Sequence, residues 1–138
     1  MKILGINRAE LVVREPNKAA DRLSSLLGMR FTSDVTEEHG VLSRTDFRAG
    51  LELAGPSREN SAMDPILAEQ GEGLLTIVFR VESVEDVLEM ARREGIDVIV
   101  DLDKGASMPG YRSYRQVSLD ARHFPANASF TFAEYEED

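Results

Sequence analysis

"LLTIVFRVESVEDVLEMARREG", Leu74 to Gly95, decides the fold, because it reads as a strand running directly into a helix. Leu75, Ile77, Phe79 and Val81 alternate with Leu74, Thr76, Val78 and Arg80, the period-two signature of a strand. From Val84 the apolar positions change to helical spacing, with Val84, Val87, Leu88 and Ala91 on one face. Ser83 suits a helix cap, Glu85 and Asp86 favour the first turn, and Gly95 suits the stop. One face of the strand is apolar. The other carries Thr76 and Arg80, so it is expected to look onto something other than plain core.

The same order occurs earlier in the chain. "ILGINRAELVV" reads as a strand, and "REPNKAADRLSSLLGMRF" follows it with Ala19, Ala20, Leu23, Leu26 and Leu27 at helical spacing. Pro16 suits the first helical turn and Gly28 the end. Three short strands come next, "MRFTSDV", "GVLSRTDF" and "GLELAG"; after the second helix come "IDVIVDL", "YRSYRQVSL" and "NASFTFAEY". Gly28 and Gly95 stand at equivalent places, 67 residues apart. The chain therefore reads as one α+β domain, residues 1–138, built from two βαβββ modules at 1–54 and 73–135. The crossover between them, 55–72, is rich in turn formers and has room for one helical turn at "DPILAEQ".

Composition narrows the chemistry. The 138 residues include no cysteine, which excludes disulfides, thiolate metal sites and a cysteine nucleophile. Two histidines, His39 and His123, are too few for a multi-histidine metal site. The net charge of -9, from 25 acidic and 16 basic residues, argues against nucleic acid or anionic lipid as partner. That acidity either serves solubility or favours a cationic ligand. No stretch approaches the length of a membrane span, and the opening "MKILGINRAELVV" lacks a signal-like apolar core, so a cytoplasmic location is expected. Phosphate-loop, nucleophile-elbow, HExxH and EF-hand patterns are absent.

Three segments carry a resemblance: "LVVREPNKAADRLSSLLGMRF", "LELAGP" and "GEGLLTIVFRVESVEDVLEMARREGI". Together with the tandem order they resemble the vicinal oxygen chelate superfamily, the glyoxalase, bleomycin-resistance and extradiol dioxygenase group. The last two segments are similar to its methylmalonyl-CoA epimerase branch. The resemblance implies a half-open curled sheet or barrel with helices outside, a ligand cavity within, and pairing as a homodimer. In metal-dependent members four inward side chains bind one divalent ion. Carried over, those places fall on Arg8, Glu52, Thr76 and about Thr131, of which Glu52 alone is a competent ligand. Arginine has no lone pair to give, so neither a catalytic metal nor another cofactor is expected.

Period-two alternation places Glu10 on the face of Arg8, and Arg80 on the face of Thr76. Two readings of the charges stand. Arg8 and Glu52 form a structural ion pair where a metal would sit. Otherwise Arg8 or Arg80 holds an anionic group while Glu10 or Glu52 serves as catalytic base. Tyr111, Arg112, Tyr114, Arg115 and His123 are candidates for a cavity rim or lid, or for an outer face or subunit contact. The first functional expectation is a metal-independent member binding a small organic ligand. The alternative is a lyase or epimerase moving a proton next to a carbonyl with Glu10 or Glu52. A metal-dependent enzyme would require that Arg8 and Thr76 not occupy ligand places.

Overall fold

The computed structural model describes the backbone of residues 1–138 and every side chain except those of His123 and Asn127. Eight strands and three α-helices follow in the order β1 Ile3–Val12, α1 Pro16–Leu27, β2 Thr32–Thr36, β3 Val41–Asp46, β4 Leu51–Pro56, α2 Asp64–Gln70, β5 Gly73–Val81, α3 Val84–Glu94, β6 Val98–Asp103, β7 Tyr111–Leu119 and β8 Ser129–Glu137. The expected β, α, β, β, β order is present twice. The chain divides into two compact units, Arg8–Leu75 and Met1–Asn7 with Thr76–Asp138. They are called here the α1 unit and the α3 unit. None of the helices is long and apolar enough to cross a membrane.

In the α1 unit the strands lie in the order β2-β3-β4-β1. β2, β3 and β4 are antiparallel neighbours, while β1 runs parallel to β4 with Glu10 opposite Glu52 and Val12 opposite Ala54. The parallel step needs a crossover, and α1 supplies it. Pro16 occupies the first turn and Gly28 ends the helix in the left-handed conformation, φ +70°. Pro16 and Ala20 are buried, as are Val12, Leu53 and Ala54. Leu26 and Leu27, which the helical spacing placed on the inner face, are exposed. Helix and sheet approach most closely at Gly55. A Cβ there would lie 2.1 Å from the Val13 carbonyl oxygen and 2.7 Å from Pro16 Cγ.

The turn from β3 to β4 is held by Asp46. Its carboxylate accepts backbone N–H bonds from Arg30 and Ala49, each 2.9 Å. Those bonds, led by the one from Arg30, hold the Asp46 carboxyl below its usual range. The crossover contains a seven-residue helix, α2, rather than a single turn.

In the α3 unit the order is β5-β8-β7-β6, with β5 parallel to β8 and the rest antiparallel. α3 starts at Ser83, whose hydroxyl accepts from Asp86 N at 3.3 Å, and Glu134 Oε2 accepts from Val84 N at 2.8 Å. It ends at Gly95 in the left-handed conformation. Val84, Val87 and Ala91 pack with Val81, Val117, Leu119 and Phe132 into one buried cluster, with Phe79 and Phe130 at its edge. Burying a valine or leucine side chain contributes about 1.5–3 kcal/mol, so this cluster is the main stabilising element of the unit. Alternate residues along β5, β7 and β8 turn away from α3.

Gly55→Ala is expected to destabilise the protein by about 1–3 kcal/mol, because the methyl group meets backbone and a proline ring that cannot move aside. Urea unfolding checks this, and an unchanged midpoint would show that the α1 crossover is looser than the structure has it.

Candidate functional site

Parallel pairing of β1 with β4 at Glu10 and Glu52 puts two carboxyl groups side by side, and Arg8 precedes Glu10 by one strand repeat. Arg8 Nε donates to Glu52 Oε1 at 2.6 Å, and both side chains are buried, 4% and 9% exposed. The Arg8 guanidinium also lies 5.3 Å from the ring centre of Phe47, in the turn that Asp46 holds. A short charge-assisted bond of this kind is strong in isolation, and its cost is the removal of two ions from water.

One cation serves two acids here. Desolvation pushes the Glu10 carboxyl well above its usual range; the negative charge of Glu52 adds to this, Arg8 opposes it, and a hydrogen bond to Glu52 raises it further. Arg8 binds Glu52, while Glu10 beside it keeps its own proton to higher pH than an ordinary glutamate. The register therefore sets a carboxyl group that holds its proton unusually tightly beside one that is bonded to a guanidinium.

The face of the α3 unit that turns away from its helix holds Thr76, Thr131 and Ser118, all buried. Thr76 Oγ1 lies 2.8 Å from the Ser129 carbonyl oxygen and 3.0 Å from Thr131 Oγ1, and Ser118 Oγ lies 2.7 Å from Thr131 Oγ1. A carbonyl oxygen can only accept, so Thr76 spends its one proton there. Thr131 must then donate to Thr76, and Ser118 to Thr131. The chain of hydroxyls has a single direction, and Ser118 Oγ ends it with lone pairs rather than a proton.

Along the same face Arg80 lies over Tyr135, its guanidinium carbon 4.4 Å from the ring centre. Tyr114 stacks on Tyr135 at 5.9 Å and 14°, and Tyr111 meets Tyr135 edge-on at 5.1 Å and 85°. Simple alternation would send Tyr111 and Tyr114 to opposite faces. An irregularity in the β7–β8 pairing between Tyr111 and Ser113 returns Tyr111 to the tyrosine face. Tyr114 donates to Gln116 Oε1 at 2.7 Å, and Asn7 Nδ2 donates to the Tyr135 hydroxyl at 3.0 Å.

The sequence candidates thus fall into two groups. Arg8, Glu10 and Glu52 come together in the α1 unit; Thr76, Arg80, Tyr111, Tyr114 and Thr131 share one face of the α3 unit. Arg112 and Arg115 leave the proposed rim. Arg112 is exposed and bonded to the Glu137 carbonyl, while Arg115 turns to the helix side and binds Glu85 at 2.7 Å and Asp101 at 3.3 Å. The side chain of His123 lies outside the described residues. Sequence reasoning missed Tyr135, Ser118, Gln116 and Phe47. Alternation from Thr131 reaches Tyr135 and would have found it; Phe47 follows only from the turn.

The residues at the four places implied by the resemblance do not fit a divalent ion. Arg8 offers N–H groups and no lone pair, Glu52 is already bonded to it, and Thr76 and Thr131 are neutral hydroxyls bonded to one another. Among the described residues no three His, Asp or Glu side chains gather as a metal-ligating group.

Solved structures similar to this chain include a variant of Streptomyces coelicolor methylmalonyl-CoA epimerase in complex with 2-nitronate-propionyl-CoA. It is 22% identical, with TM-score 0.77, covering 96% of this chain and 98% of that one. The Mycobacterium tuberculosis methylmalonyl-CoA epimerase gives TM-score 0.75 at 14% identity, covering 96% and 88%. A hypothetical protein from Bacillus halodurans C-125 gives 0.77 at 20% identity, covering 96% and 95%. At these identities the likeness shows the fold. No curated protein matches the chain by sequence. The family pattern of the Glyoxalase/Bleomycin resistance protein/Dioxygenase superfamily matches residues 7–112, most of the chain, and the protein belongs to that superfamily.

Proposed function

We propose that this superfamily member binds a small organic ligand without a divalent metal, the Arg8–Glu52 ion pair standing where metal-dependent relatives carry ligands. The observation that carries the reading is the buried 2.6 Å bond from Arg8 Nε to Glu52 Oε1. A guanidinium fixed there supplies the positive charge that an ion would otherwise bring, and it repels a second cation. The net charge of -9 favours a small molecule over polyanionic partners. Assembly as a homodimer belongs to the same proposal, and the exposed apolar residues Ile3, Leu4 and Ile6 of β1 and Val98, Ile99 and Val100 of β6 support it.

A second reading has its own observation. Glu10 keeps its proton to higher pH than an ordinary glutamate, and its neighbour Glu52 is bonded to Arg8. Two carboxyl groups sharing a proton supply a base to take a proton from carbon and an acid to return one, as in an epimerase or lyase acting next to a carbonyl. Several similar solved structures are methylmalonyl-CoA epimerases, which makes acyl-CoA thioesters the first substrates to try.

Elemental analysis of the purified protein is expected to find no stoichiometric Zn, Ni, Co, Mn or Fe; one equivalent bound at the protein would overturn the metal-free proposal. Glu52→Gln removes one partner of a buried ion pair and is expected to cost about 3 kcal/mol of stability with ligand affinity retained. Loss of turnover in a variant that stays folded would favour the enzyme reading.

Glu10 binds its proton more tightly in the folded chain than in the unfolded one. Its stabilising contribution is complete below the unfolded value of about 4.3 and is lost as pH rises through the raised folded value. Glu10→Gln imitates the protonated side chain and removes that loss. The unfolding free energy of E10Q relative to the parent should therefore rise as pH increases above the unfolded value of about 4.3. A difference flat in pH would mean that Glu10 does not hold the extra proton.

A further inference from the structure

We infer that the bulged end of β7, together with Tyr135 of β8 and Arg80 of β5, is the anchoring corner for a carboxylate group on the ligand. The inference rests on the ligand-binding reading above and adds the charge of the ligand and the residues that hold it.

Arg80 is half-buried, and its contacts are the Tyr135 ring and one long bond to the Tyr135 carbonyl, 3.4 Å. Among the described residues no carboxylate pairs with it. Of the other arginines withdrawn from full exposure, Arg8 and Arg115 lie against carboxylates, whereas Arg44 is bonded to the Asn17 side-chain oxygen. A guanidinium carries five N–H donors, and nearly all of these are unspent. Withdrawing a cation from water without a counter-ion is unfavourable, and the ring below offsets only part of that cost. The remaining charge is matched from outside the chain.

Tyr135 adds a second donor. Its hydroxyl accepts from Asn7 Nδ2 at 3.0 Å, a bond that leaves the phenol proton unspent. That hydroxyl belongs to the ring over which Arg80 lies, so fork and phenol address one corner. Tyr114 stacked behind the ring and Tyr111 edge-on to it fix the phenol in place, and the bulge after Tyr111 makes the second contact possible. A planar guanidinium fork and one hydroxyl match the two oxygens of a carboxylate. A phosphate dianion would ask more of a single cation in a protein of net charge -9. The opposite end of the hydroxyl chain, Ser118 Oγ, presents lone pairs, so donors and acceptors are separated along this face.

The test is a titration of the full-length chain with benzoate, propionate, benzamide, propionamide and benzylamine, followed by backbone amide NMR shifts and repeated on Arg80→Gln, Arg80→Lys and Tyr135→Phe. The carboxylates are expected to bind and to shift the amides of Arg80 and Tyr135, with the amides and the amine much weaker. R80Q should lose at least about tenfold in carboxylate affinity, R80K less, and Y135F about threefold with its ring stack kept. Should R80Q not fold, R80K and Y135F carry the comparison. Carboxylate affinity unchanged in these variants overturns the anchoring corner and leaves the ligand-binding reading standing. So does binding of the amides or of benzylamine in preference to the acids. Failure of all five compounds to bind the parent overturns both.

Discussion

Two acids and one base meet on adjacent parallel strands, and that constraint governs the α1 unit. The register that sets Glu10 opposite Glu52 brings two carboxyl groups within hydrogen-bonding range, a contact that like charges would forbid if both were ionised. Arg8 eases the conflict by binding Glu52, and the raised pKa of Glu10 eases it further. The β3–β4 turn helps to hold Arg8 in place. Asp46 pins the β3–β4 turn through two backbone N–H bonds, the turn carries Phe47, and Phe47 lies beside the guanidinium. Gly55 permits α1 to sit close enough on β4 to cover the back of these strands.

The α3 unit solves a different problem with the same architecture. One face of its strands is saturated by α3 and the phenylalanines, so stability is concentrated there. The other face is free to be polar, and its groups satisfy one another in a fixed direction: Ser118 to Thr131, Thr131 to Thr76, Thr76 to a carbonyl oxygen. Directionality matters because hydroxyls that have spent their protons can only accept, whereas Arg80 and Tyr135 retain donors. A surface sorted in this way can orient a small molecule without a metal to organise it.

The chain belongs to the Glyoxalase/Bleomycin resistance protein/Dioxygenase superfamily, and its buried core is separate from its polar strand faces. The scaffold depends on apolar spacing at Ala20, Leu53, Val81, Val84 and Val87, all of them buried. Arg8, Glu52, Thr76 and Thr131 alternate with such core positions, so they can vary without loss of the fold. Arginine and threonine at these positions leave the helix-covered core unchanged.

Strand and helix order, the duplication, the caps at Ser83, Gly28 and Gly95, and the face shared by Arg8 and Glu10 were all legible in the residues, because periodicity and capping are local properties of the chain. The pairing of Arg8 with Glu52 was legible as one of two alternatives. The sequence could not say that Glu10 holds its proton more tightly than usual, since that depends on a strand register 42 residues apart in the chain and on the desolvation it brings. Nor could it place Tyr111 beside Tyr135. Strict alternation puts Tyr111 on the wrong face, and the irregularity that corrects it arises from how β7 pairs with β8. Local pattern determined the elements and their faces; the pairing of distant strands decided the charges, protons and ring contacts, because these interactions act through space between residues far apart in the chain.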